Sequence, residues 1–197
     1  MGLVSVNLRC PNCNAPVSPE QETCDWCHAP IVLSSFTSVH DMPSAQLNKY
    51  AKSYQNALAI NPDSVKLNQS IAICYLKLRL FDKAIEAFDK AIEASFDVPD
   101  LYFYAAVSML KGKKAFLATR ADIDRAISYL NAANAIEPKG IYDYLLAYIK
   151  YDYFERKRLN TVPDYQSCLA AARSNGLSSY DVSQVWEMLG VSKPDVL

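Results

Sequence analysis

A mainly α protein with a small cysteine-built module at its amino-terminal end is the fold class this sequence predicts. Four of the six cysteines fall in two Cys-x-x-Cys pairs near the start of the 197-residue chain. Beyond residue 43 apolar residues recur at helical spacing, interrupted by short turns carrying Pro, Asn or Gly. Only five glycines and two histidines are present, which leaves little material for a phosphate-cradling loop or a catalytic pocket. The expected organisation is a metal module over residues 1–33, a linker over 34–43 and a helical domain over 44–197.

Composition narrows the class further. With 13 Tyr, 7 Phe and 21% charged residues, the chain is too aromatic and too weakly charged for a disordered protein. No apolar run approaches the roughly 18 residues of a membrane span. Twenty basic against 21 acidic residues give a net charge of −1, which argues against a bulk nucleic-acid binder. Met-Gly-Leu-Val-Ser-Val lacks the positive start and cleavage site of a signal peptide. Val6 also stands where acylation wants Ser or Thr. The expected location is the cytoplasm, where paired thiols point to metal before disulfide.

In the first element, Cys10-Pro-Asn-Cys13 and Cys24-Asp-Trp-Cys27 each set two thiols on a tight turn, and two such turns supply the tetrahedral sulfur shell that Zn²⁺ favours. The halves echo each other, Cys-Pro-Asn-Cys-Asn-Ala-Pro-Val against Cys-Asp-Trp-Cys-His-Ala-Pro-Ile. The run resembles the short zinc-ribbon family of bacterial proteins, with Pro11, Ala15 and Glu20 also in keeping. That family usually has Gly after each pair, where this chain has Asn14 and His28, residues that tolerate positive φ. Cys24-Asp-Trp-Cys27-His28 also fits c-type haem attachment, but that leaves Cys10 and Cys13 without a purpose. A redox disulfide would want a βαβ setting. The expected cofactor is one structural Zn²⁺, its shell closed by four cysteines.

The ribbon's charge argues against nucleic acid. Residues 1–40 hold Arg9 against Glu20, Glu22 and Asp25, and four thiolates on Zn²⁺ bring the module near −4, which phosphate repels. Trp26 is the knuckle residue expected to touch a partner, or else the linker.

The helical pattern then predicts helices at about 44–60, 64–79, 81–95, 98–112, 119–136, 139–156, 163–175 and 178–190. Breaks come at Asn61-Pro62-Asp63, Asp97-Val98-Pro99, Glu137-Pro138-Lys139-Gly140, Pro163 and Asn175-Gly176. Ser178 with Asp181 gives a capping pattern for the last helix. Ile71-Ala72, Tyr75, Phe81, Ala84, Phe88 and Ala91 have the order and spacing of a tetratricopeptide repeat. Ala105-Ala106, Met109, Ala126, Leu130, Ala133 and Pro138 repeat it around a longer turn at Lys111–Ala118. A third first-helix pattern follows at Tyr142, Leu145, Leu146 and Ile149, and Ala57, Ile60 and Pro62 resemble half of a preceding repeat. The chain thus resembles tetratricopeptide proteins over roughly residues 44–190, an α-solenoid of antiparallel helix pairs. A helix bundle is the alternative arrangement.

That resemblance implies a concave peptide-binding surface lined by first helices. Its inward positions fall on Lys66, Gln69, Ile73, Leu76 and Lys77, then on Phe103, Val107, Leu110 and Lys111, then on Asp143, Ala147, Lys150 and Tyr151. An apolar floor edged with lysines would suit a protein or peptide segment with apolar anchors and some acids. The competing reading covers this face with the chain's own linker, helix 44–60 or another subunit. The chaperone carboxylate clamp is excluded by Ser70 at its Asn position and by the absence of a basic residue in Leu101–Leu110.

No phosphate-loop, dinucleotide, zincin or nucleophile-elbow motif is present. Cys74 and Cys168 read as buried small hydrophobes, and His40 has no evident acid partner. Basic clusters at Lys111, Lys113, Lys114 and Arg120, and at Arg156–Arg158, read as a solvated turn and a helix end. The expected function is a non-enzymatic protein–protein adaptor with the ribbon as second contact module. The alternatives are a nucleic-acid-associated regulator using the ribbon or the Lys111–Arg120 turn, and a self-associating structural subunit.

Overall fold

The computed structural model describes residues 8–197, so the signal-peptide and acylation readings at residues 1–6 lie outside the described residues. The chain is mainly α and divides between Phe96 and Asp97 into two compact units.

The first unit opens with strands β1 (Leu8–Arg9) and β2 (Pro16–Val17), antiparallel, with Leu8 opposite Val17 and Arg9 opposite Pro16. An isolated bridge joins Thr23 to Pro30, each 14 residues beyond Arg9 and Pro16 (23 − 9 and 30 − 16). The two cysteine-bearing halves therefore fold as copies, as their sequence echo predicts. Residues 34–43, read as a linker, contain a 3₁₀ turn at Phe36–Val39 whose end residues are buried. Helices α1 (Ser44–Leu58), α2 (Val65–Lys77) and α3 (Phe81–Ala94) follow, with α2 packed on both neighbours. Leu47, Tyr50, Ala51, Tyr54 and Ala57 form the buried stripe of α1 at helical spacing.

The second unit begins with α4 (Pro99–Met109), where Pro99 takes the first turn, a position that needs no N–H donor. The long turn holds a 3₁₀ segment at Ala115–Leu117, and α5 (Arg120–Ile136) starts where Thr119 Oγ1 accepts from Asp122 N at 3.2 Å. The expected helix 139–156 has two parts, α6 (Gly140–Ile149) and a π-helical continuation at Lys150–Glu155. Helices α7 (Tyr165–Ser174) and α8 (Ser179–Leu189) complete it. The expected Ser178–Asp181 capping box is formed in both directions, at 3.1 and 2.9 Å. Pairs α4–α5 and α6–α7 pack as hairpins, with α5 and α8 also against α6. Its residues Tyr142 to Ile149 are all buried, as a helix covered on both sides requires.

One buried acid ties the long turn to this core. Asp152 is 1% exposed; it accepts from Phe116 N at 2.8 Å and from the Arg156 guanidinium, while Tyr148 Oη accepts from Ala115 N at 3.1 Å. Removing the acceptor leaves a part-buried N–H without a partner, which costs about 1–3 kcal/mol. Asp152→Ala is therefore expected to destabilise the second unit by about 2 kcal/mol. Urea unfolding checks this; an unchanged midpoint would mean the turn is held by other contacts.

Candidate metal centre and interaction surfaces

Each cysteine pair sits on a closed turn. Cys10 N donates to Ala15 O at 2.8 Å and Asn14 N to Cys10 O at 2.9 Å. Cys24 N donates to Ala29 O at 2.9 Å and His28 N to Cys24 O at 2.8 Å. Asn14 and His28 have φ of 63° and 56°, the left-handed conformation expected where the ribbon family places Gly.

These turns bring four sulfurs within 4.8 Å of one another, with Cys10–Cys27 and Cys13–Cys24 each at 3.6 Å. A tetrahedron of sulfurs about 2.3 Å from one ion has edges of roughly 3.8 Å, so the cluster has the dimensions of a metal shell. Cys10 and Cys24 are buried, and Cys13 is exposed. The four thiols do not share one acidity. Cys27 is lowered to about 6, first by the Ala29 N–H and then by the Asn12 side chain. At Cys13 the Ala15 N–H opposes the shift, but desolvation and the neighbouring sulfurs push it up to about 12. Burial raises Cys10. Such crowding of sulfurs is relieved by a cation. Beside the centre, the Tyr50 phenol is fully buried without a hydrogen-bond partner among the described residues, and burial followed by the charge of Cys10 and Cys27 pushes it up to about 12.

The centre is fastened to α1 and α2 within the first unit. Ser53 Oγ donates to Arg9 O at 2.6 Å, and Tyr54 Oη donates to Ile31 O at 2.8 Å. Lys66 pairs with Glu20, Leu33 N donates to Ser70 Oγ at 2.9 Å, and Gln69 Nε2 donates to Ser34 O at 2.9 Å. Lys77 lies 4.9 Å from the centre of the Phe36 ring. On α2, then, the polar residues expected to edge a peptide groove meet Glu20 and residues 33–36, and Ile73 and Leu76 are buried.

In the second unit Phe103, Val107 and Leu110 are buried, with the Phe103 ring 5.3 Å from that of Tyr142. Lys111 is half-buried at a positive φ of 50° after α4. Asp143 is a structural clamp, accepting from Asn134 at 2.8 Å and Asn175 at 2.7 Å. Lys150 is buried and donates to Thr161 Oγ1 at 2.6 Å; burial lowers its pKa. Ala147 is buried, and half-buried Tyr151 makes an edge contact with Tyr165 at 5.2 Å.

The remaining reactive residues are explained by packing. Cys74 and Cys168 are buried and pushed up to about 12 and about 11, in each case chiefly by burial. His40 does have an acid nearby, Asp41 at 3.7 Å, but both are exposed. Arg120 pairs with Asp124 at 2.8 Å, while Arg156 and Lys157 lie over the Phe116 ring.

Two further features mark the surface of the first unit. Trp26 stands 75% exposed on its knuckle. A cleft of 380 Å³ also opens between the first knuckle and α1, lined by Arg9, Lys49 and Lys52. Lys49, Lys52, Ser53 and Asn56 are legible as one helical stripe, but what that stripe faces is not. Among the described residues no helix is long and apolar enough to cross a membrane.

No family model matches the chain, and no curated protein matches it. A solved structure described as MamA MSR-1 C2 is similar over 77% of this chain and 73% of that one, at 16% identity and a TM-score of 0.49.

Proposed function

We propose that this chain is a non-enzymatic protein–protein adaptor in which one Zn²⁺, held by Cys10, Cys13, Cys24 and Cys27, rigidifies a contact knuckle on a helical-repeat body. The observation that carries the reading is Trp26, a large aromatic 75% exposed on the turn between two ligand cysteines. Aromatic anchors with few torsions concentrate binding energy at interfaces, and a metal-fixed turn has little entropy left to lose. Four cysteines close the zinc shell, so the ion's role is structural.

The test is capture of a polypeptide from nuclease-treated lysate by the native chain and by Trp26→Ala. The variant should keep its thermal midpoint, since exposed substitutions cost within about 0.5 kcal/mol. It should lose the captured polypeptide. Equal capture by both proteins would remove the knuckle from the contact. Self-association of the native chain in sedimentation, abolished by the same substitution, would make the partner a second copy.

A further inference from the structure

The ribbon's charge is not spread evenly, and the unevenness marks a second site. Glu20 pairs with Lys66, Asp25 accepts from Gln21 at 2.7 Å, and neither these nor Glu22 line the cleft beside the first knuckle. The cleft beside the first knuckle is lined by Arg9, Lys49 and Lys52 together with Cys10, with no carboxylate among its lining residues, so three cations outnumber the one sulfur there. Asn14 and Asn56 also line it, while Asn12, a third asparagine there, bonds the Cys27 sulfur. Lys49, Lys52 and Asn56 project from one face of α1, because they are spaced three and four residues apart. Arg9 is held in place at both ends of the residue, its guanidinium donating to Asn14 O at 3.1 Å and its carbonyl accepting from Ser53.

We infer that this cleft binds an oligophosphate group, the charge chain of pyrophosphate or of a nucleotide polyphosphate. Arg9, Lys49 and Lys52 set three positive charges on one cleft, more than the single charge of a carboxylate matches, whereas two linked phosphates match all three. A cleft of 380 Å³ has the size of a small-ligand site. No aromatic side chain lines it, so recognition falls on the phosphates and not on a stacked base. This goes beyond the adaptor reading and stands without it: Trp26 is not among the lining residues.

Calorimetric titration of the full-length chain with inorganic pyrophosphate tests the inference, beside Lys49→Gln/Lys52→Gln and a control, Lys113→Gln/Lys114→Gln. Both changes are on exposed side chains, and circular dichroism with zinc content confirms each fold. Saturable one-to-one binding is expected, about tenfold tighter than for orthophosphate. The α1 double variant should weaken it by about tenfold or more, and the control should leave it unchanged. Parallel titrations with tripolyphosphate and adenosine triphosphate name the source, the tighter of the two being the natural class. Absence of saturable binding, equal binding of orthophosphate, or indifference to the α1 variant each overturns the site. So does a fall in zinc affinity of that variant without pyrophosphate binding, since the lysines would then merely offset the thiolate charge. Displacement of pyrophosphate by single-stranded oligonucleotides, with affinity growing with length, would replace a small ligand by nucleic acid.

Discussion

Cys24→Ser is expected to abolish stoichiometric zinc binding and to release the ribbon from the first helices. Cys24 is fully buried, and its backbone closes the second knuckle through Ala29 and His28. Among the described residues, the module's regular structure is limited to two strands of two residues each. Metal affinity is therefore its folding free energy, on the order of 10 kcal/mol for such sites. The helices have a core of their own, built on Tyr54, Leu67, Ala84 and Phe88. Elemental analysis should fall from about one zinc per chain to near none, with far-UV helicity retained. Proteolysis should open the first 40 residues selectively. A metal-free native chain with a protease-resistant ribbon would sink the zinc reading.

The same centre predicts a pH dependence whose sign follows from the thiols. Zinc binds thiolates, so every ligand protonated in the metal-free protein must release a proton. Near neutrality Cys27, lowered to about 6, is already ionised, whereas Cys13, pushed up to about 12, and Cys10, raised by burial, are not. At least two protons leave, so zinc affinity should fall about a hundredfold per pH unit on acidification, and more steeply below about 6. The stabilisation that zinc gives is thus present at high pH and lost as pH falls. Competition against a chelator across pH 8 to pH 5.5 measures the slope. A slope of one proton or fewer would mean the thiols are ionised before metal arrives.

Gly140→Ala is expected to be the most damaging single substitution in the second unit. A Cβ there would lie 2.4 Å from Leu177 N and 2.6 Å from Ala172 O. Both obstacles are backbone, and they belong to a turn that Gly140 N itself bonds through Asn175 O at 2.9 Å. No rotamer change relieves the clash; α6 has to move away from the end of α7. Overpacking of this kind costs about 3 kcal/mol. The better helix propensity of Ala offsets less than about 1 kcal/mol, since Gly140 is the first residue of α6. A fall of about 10 °C or more in the unit's thermal midpoint follows. Gly176→Ala is the control. Its φ is 79° with nothing within 4 Å, so backbone strain alone should cost about 1–2 kcal/mol. Equal effects from the two would show that α6 and the Ala172–Leu177 turn do not approach closely.

These cases show where sequence suffices. The cysteine spacing, the internal echo and the Asn14 and His28 positions identify the four-cysteine cluster, because a tight turn is a local object. The same holds for eight helices and the Ser178 cap, whose signals lie within a few residues of the elements they govern. The expected helix ends lie within three residues of the observed ones for most elements. The change of hydrogen-bond pattern at Lys150 left no local signal.

What a face meets is a different kind of question. Gly140 carries the same letter whether it ends a helix or admits a neighbouring backbone. Ser34 and Phe36 read as linker, yet their chain runs along α2 beside the residues expected to form a groove. Lys49 and Lys52 give no signal of a site along the sequence, and α1 places them beside Arg9. Local chemistry and periodicity, carried by neighbours along the chain, were determined by the sequence alone. Burial, charge pairing and close approach depend on residues some 30 to 45 positions apart, such as Ser53 with Arg9 or Gly140 with Leu177, and only the tertiary structure decided those.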